Sequence, residues 1–137
     1  MANISKIKIE NTTYDLKDET ARDYSNYSTT EQLIGTWING ENLYRKVIHE
    51  TTTTPVGTAG QVHDYNFPHG ISNFNKMVSI TGNINGQYTF TQFGGNNVDY
   101  GTYINKVDST NIQVRISNDS WTGTNDWYFI IKYTKSS

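Results

Sequence analysis

The sequence predicts an all-β protein: an antiparallel β-sandwich or jelly-roll-like head behind a short N-terminal hairpin-helix segment. Three observations predict it. The first is composition. The 137 residues include 19 Thr, 16 Asn and 10 Ser, and 13% are aromatic, ten of them Tyr, while only 18% are charged. Thr, Tyr, Trp and Phe suit strands, and Asn and Gly suit turns. The second is alternation, clearest where Ile112, Val114 and Ile116 interleave with Gln113, Arg115 and Ser117, which marks a strand with one wet face. The third is punctuation. Asn39-Gly40, Asn85-Gly86 and Gly94-Gly95-Asn96-Asn97 are turn signals between apolar runs. About eight short strands with such turns argue for a sandwich or jelly roll. A chain of this length buries about two thirds of its unfolded surface, enough for one core without staples.

Residues 1–30 differ from the rest. Lys6-Ile7-Lys8-Ile9 alternates, Asn11-Thr12-Thr13 is turn-like, and Tyr14-Asp15-Leu16 returns as a second short strand. Asp15 to Asp23 follows as the best helix candidate, with an Asp cap, acidic residues in the first turn and an Ala-Arg pair. Two or three turns with little apolar stripe are marginal alone. The segment therefore depends on a neighbour for order, whether the main domain, a sister chain or a partner particle.

Residues 31–137 read as the head domain. Leu33 to Ile38 runs to Asn39-Gly40 and returns as Leu43 to Ile48. Residues 51–61 read as a loop that opens on four successive Thr, followed by Pro55 and then two Gly. Val62 to Phe67 is short and interrupted by Pro68. Phe74 to Ile84, Gln87 to Phe93, Val98 to Val107, Ile112 to Ser117 and Trp127 to Thr134 complete the strands. The last is apolar on both faces, so it is central or lies at a subunit interface. Trp37, Phe90, Phe129 and Ile131 are the core candidates.

Several classes are excluded or disfavoured. With no cysteine, disulfides, thiolate metal sites and thiol nucleophiles are ruled out. A net charge of −2 without clustered cations does not suggest nucleic acid. No stretch approaches the roughly 18–20 apolar residues of a membrane span. The N-terminus has no apolar h-region of a secretory signal, so synthesis and folding in a cytoplasm are expected. The sequons at Asn11, Asn26 and Asn118 then follow from an Asn/Thr/Ser-rich composition. His49, His63 and His69 form no HxxxH or HExxH pattern, and the carboxylates are scattered. No enzyme, metal site or cofactor is expected.

A different chemistry stands out in two loops. Asn96, Asn97, Asp99 and Tyr103 lie in one, and Asp119, Trp121, Asn125 and Asp126 in the other. An aromatic set among amides and carboxylates can stack on a sugar ring and bond its hydroxyls. The same composition also makes ordinary turns with the aromatic folded onto the core.

Several stretches carry a resemblance. Met1 to Arg22 (MANISKIKIENTTYDLKDETAR) resembles the leader of many virion proteins of phages infecting Gram-positive and gut bacteria. Tyr27 to Ile48 (YSTTEQLIGTWINGENLYRKVI) resembles the opening of a recurrent C-terminal module of phage tail fibres. His69-Gly70-Ile71-Ser72-Asn73 resembles its next turn, and Tyr128 to Lys135 (YFIIKYTK) its closing strand. The resemblance implies a homotrimeric β-sandwich head displayed on a virion, attached to other virion proteins through its N-terminal segment. No catalytic motif comes with it. The leader runs almost directly into the head, a departure from long tail fibres. Two roles stay open: a short fibre that binds host-surface carbohydrate, or a head fibre or capsid decoration protein contacting only other virion subunits.

Overall fold

A computed structural model describes residues 6–15, 26–92 and 101–137. Among these the protein is all-β, with antiparallel sheets and no helix. The strands are β1 (Lys6–Ile9), β2 (Thr12–Asp15), β3 (Gln32–Thr36), β4 (Asn42–Thr52), β5 (Val56–Gly57) and β6 (Val62–Pro68). Then come β7 (Phe74–Ile84), β8 (Tyr88–Thr91), β9 (Gly101–Val107), β10 (Asn111–Ser117), β11 (Ser120–Trp121) and β12 (Asn125–Lys135). The N-terminal hairpin is present as β1 paired with β2. The expected helix falls, beyond Asp15 at the end of β2, outside the described residues, as does the turn at 94–97.

Two sheets form the head. One has the order β3-β4-β12-β7-β8, the other β6-β10-β9. The chain passes from the five-stranded sheet to the three-stranded one after β4 and again after β8, and comes back after β6 and after β10. The closing strand β12 inserts between β4 and β7. Its apolar pattern gives it that central place. β5 and β11 pair at one end of the head. Pro68 is tolerated because β6 is an edge strand, where a missing N–H costs no ladder bond.

The sheets face each other across one core. Ile112, Val114 and Ile116, the alternating row of β10, are fully buried, as are Trp127, Phe129, Ile131 and Tyr133 of β12. Phe67 of β6 bridges the layers, its ring centroid 5.1 Å from both Trp127 and Phe129. Phe90, Phe129 and Ile131 thus belong to the core. Trp37 does not: it is only half-buried. The reason is local. β3 ends at Thr36, and a longer connection closes through Trp37 N–H to Glu41 O, 2.8 Å, and Gly40 N–H to Trp37 O, 2.9 Å. The Asn85-Gly86 turn is tight: both residues have positive φ, 55° and 68°, as a type I′ turn requires.

Residues 26–31, most of which the sequence grouped with the leader, are tied to the head. The buried Arg45 donates to Asn26 O, 2.9 Å, and lies 4.3 Å over the Tyr27 ring. The Glu31 carboxylate accepts from Tyr133 Oη, 2.5 Å, and Lys135 Nζ, 2.9 Å. Burial, then the Glu31 bond, pushes the Tyr133 phenol far above its ordinary range. His69 is 1% exposed and structural. Its Nδ1 accepts from Ile71 N–H at 3.0 Å, so Nε2 carries the proton and donates to Asp108 O, also 3.0 Å. The ring thus joins the turn before β7 to the turn before β10.

Candidate functional site

Alternate residues of each strand leave the core and form the outer faces of the two sheets. The outer face of β6-β10-β9 is occupied by its own partners. Asn105 Nδ2 donates to Gln113 Oε1 at 2.7 Å, and Gln113 Nε2 to Asn66 Oδ1 at 3.2 Å. Arg115 grips Asp64 with two bonds, 2.7 and 2.8 Å, and holds that carboxyl below the usual range. A ligand landing here would have to displace bonds already made.

The outer face of the five-stranded sheet is different. Register sets two rows across four strands. His49, Tyr128, Asn83 and Thr89 are successive partners in one row, and Val47, Ile130, Thr81 and Thr91 in the next. His49 stacks on Tyr128, with centroids 4.4 Å apart and planes 3° apart. Asp126 Oδ1 accepts from His49 Nε2 at 3.0 Å and from Thr51 Oγ1 at 2.8 Å. Those two bonds, His49 first, hold the Asp126 carboxyl below its ordinary range. Asn83 Oδ1 is taken by Gly86 N–H, 2.7 Å, which fixes the amide. Beyond Tyr128 lies a cavity of about 340 Å³, whose walls include Thr81, Asn83, Thr89, Thr91, Tyr128 and Ile130.

Two larger hollows offer less. One of about 580 Å³ near the C-terminal residues is lined by Glu41 and Tyr44, but Glu41 already accepts from Asn39 and Asn75. Tyr44 there stacks on Tyr133, 5.9 Å between centroids, with Lys135 Nζ 5.4 Å from its ring. The other, about 440 Å³ beside β4, has no Phe, Tyr or Trp in its wall. Among the described residues no cluster of three or more His, Asp or Glu could hold a metal ion.

Of the residues expected to bind from sequence, the described ones do not gather in one site. Asn96, Asn97 and Asp99 lie outside the described residues. Tyr103 is buried, opposite Arg115. Asn125 is buried; its Nδ2 donates to Thr122 O at 3.0 Å and its Oδ1 accepts from Asn85 at 2.9 Å. Asp119 is exposed and accepts from Ser120 N–H, 2.8 Å. Trp121 is partly buried against the core: edge-on to Trp127 at 6.2 Å and to Tyr88 at 5.3 Å, with Nε1 donating to Thr102 Oγ1 at 2.8 Å. Its indole closes the end of the core. Asp126 alone joins the face just described. His49, Asn83, Tyr128 and the three threonines were missed. The parity of β12 held a signal: Asp126 and Lys132 bracket Tyr128 and Ile130 on one row, marking it as the wet side.

Two measurable consequences follow. Trp121→Ala is expected to cost about 1–2 kcal/mol, well short of the ~3–5 kcal/mol of a fully buried indole; urea denaturation reads it. Acid behaviour follows from Asp64, Asp126 and Asp108, the last held low by the backbone N–H groups of Thr110 and Asn111. Carboxyls harder to protonate in the folded chain stabilise it above their unfolded pKa of about 4, and that contribution is lost as pH falls through the lower folded values. The melting temperature should therefore hold from about pH 7 to 5 and fall below about pH 4. Asp64→Asn should make that fall shallower.

No family model, curated protein or solved structure matches this chain.

Proposed function

We propose that this chain is a bacteriophage virion structural protein: a short, homotrimeric fibre whose sandwich-like, jelly-roll-like head binds host-surface carbohydrate. The observation that carries the carbohydrate part is the outer face of the five-stranded sheet. There a backed aromatic ring stands beside unspent hydroxyl and amide groups, the combination that sugar recognition uses. The virion part is supported by the resemblance of the leader and of the head's opening and closing segments. Tyr27, Leu33 and Ile38, 62%, 43% and 90% exposed, offer apolar surface for sister chains.

The second reading, a head fibre or capsid decoration protein, draws on the short path between hairpin and head: β2 ends at Asp15 and β3 starts at Gln32. One experiment separates the two. The full chain is printed against an array of bacterial surface glycans, and its place on the intact particle is mapped. Array binding with a distal position on the particle supports the fibre. A blank array with a position flat against capsid subunits supports decoration. Removing residues 1–25, which spares the Asn26 carbonyl that Arg45 holds, should abolish particle attachment while the head stays folded.

A further inference from the structure

We propose that the groove beyond Tyr128 binds one uncharged pyranose unit, stacked on the free face of the Tyr128 ring. This rests on reading the head as a carbohydrate-binding unit and goes further, by naming the subsite and the class of sugar.

The argument begins with the ring. In its row Tyr128 has His49 on the β4 side and Asn83 on the β7 side. His49 covers one face in near-parallel stacking, 4.4 Å between centroids. On the side away from His49, Asn83 is the register partner of Tyr128, and Tyr128 and Asn83 both line the groove. Asp126, bonded to His49 Nε2 at 3.0 Å, keeps the imidazole in place, so His49 is a positioning residue that fixes the platform from behind. A ring held from behind loses little freedom when a sugar stacks in front.

The polar groups around that face are unspent. The oxygen of Asn83 is committed to Gly86 N–H, so its amide N–H donors remain for a ligand. The hydroxyls of Thr81, Thr89 and Thr91 are exposed and have no partner among the described residues. Thr81 faces Thr91 across β7 and β8, and Asn83 faces Thr89. Each hydroxyl both donates and accepts, as sugar hydroxyls do.

Size and charge select the occupant. A cavity of about 340 Å³ lies at the small end of the range for small-molecule sites. A protein partner would need a flat patch of roughly 800 Å² per side. The wall groups Tyr128, Ile130, Asn83, Thr81, Thr89 and Thr91 carry no charge. The charged members of this row of β12, Asp126 and Lys132, stand one position beyond each end of the Tyr128–Ile130 pair. An acidic sugar would leave water for a wall with no cation, a desolvation cost with no return.

The test uses the full chain, uniformly labelled with nitrogen-15, titrated with methyl β-glucopyranoside, methyl β-galactopyranoside, N-acetylglucosamine and glucuronic acid. At least one neutral sugar is expected to shift the amides of β7, β8 and β12 around Asn83, Thr89 and Tyr128, with glucuronic acid weaker. Tyr128→Ala should weaken binding about tenfold, and Tyr128→Phe should leave it nearly unchanged. His49→Ala should weaken binding less than Tyr128→Ala does. Thr89→Val and Thr91→Val keep strand-favouring shape, so they should keep the melting temperature while weakening binding several-fold. Shifts confined to Tyr88 and Trp121 would overturn this subsite and leave the carbohydrate-binding head standing. Equal or tighter binding of glucuronic acid would overturn the neutral class. Concentration-dependent self-association through β7 and β8 would replace the sugar with a second copy of the chain. If no sugar shifts any resonance and the array is blank, the subsite and the carbohydrate-binding head fall together.

Discussion

Trp127→Ala is expected to lower the stability of the head by about 3–5 kcal/mol, the range for truncating a fully buried indole. Trp127 is 0% exposed and sits where both layers and the end of the core meet. Its ring touches Phe67 at 5.1 Å from the opposite sheet, Phe90 at 6.2 Å and Trp121 at 6.2 Å. Its Nε1–H donates to Thr52 Oγ1 at 2.8 Å, and Thr52 is itself buried. Truncation therefore opens a cavity between aromatic walls that pack on one another and cannot all collapse inward. It also leaves a buried hydroxyl without its donor. Domains of this kind are stable by only about 5–15 kcal/mol, so the variant would stand near the limit of folding. Urea denaturation should show a lower midpoint with an unchanged slope. A loss under about 1 kcal/mol would mean that the two sheets do not share this core.

Local signals were legible in the sequence, and contacts between distant segments were not. β7 has the bounds that its flanking turns suggested, Phe74–Ile84, and Asn85-Gly86 closes it with two positive φ angles. The two-faced apolar pattern of Trp127 to Ile131 pointed to a central strand or one at a subunit interface, and β12 is the middle strand of its sheet. The same pattern misled about its second face. Tyr128 is 37% exposed, because what stands over that face is a groove. Trp37 looked like core because it lies in an apolar run, yet β3 ends at Thr36 and Trp37 opens the turn that its bonds to Gly40 and Glu41 close. Trp121 sits in a turn-rich stretch, where an exposed tip and an aromatic folded onto the core were both open. Only the arrival of Thr102 and Tyr88 from far along the chain turns it into a lid on the core. The groove depends on the register of β4, β12, β7 and β8. Register is fixed by which faces bury together, and a one-residue slip would exchange the two faces.

Gly82→Ala is expected to cost about 1–3 kcal/mol through overpacking, and Gly82→Val more. The backbone at Gly82 does not require glycine, since its φ is not positive. Space does. Gly82 faces Phe90 across β7 and β8, and the Phe90 ring packs against the glycine. A Cβ there would stand 2.3 Å from Cζ and 2.5 Å from Cε2 of that ring. The ring has no free route of escape. It is buried, edge-on to Trp127 at 6.2 Å and to Phe129 at 5.9 Å. Moving it disturbs the same aromatic cluster that joins the two sheets. A second substitution separates crowding from any general intolerance of a side chain at this position. Phe90→Leu alone should destabilise by creating a void. Combined with Gly82→Ala, it should cost less than the sum of the two single changes, because the methyl fills part of the space that the ring vacates. Urea midpoints of the four proteins give the coupling. Strict additivity would show that the ring does not pack on the glycine, and would remove the cross-strand contact that fixes β8 against β7.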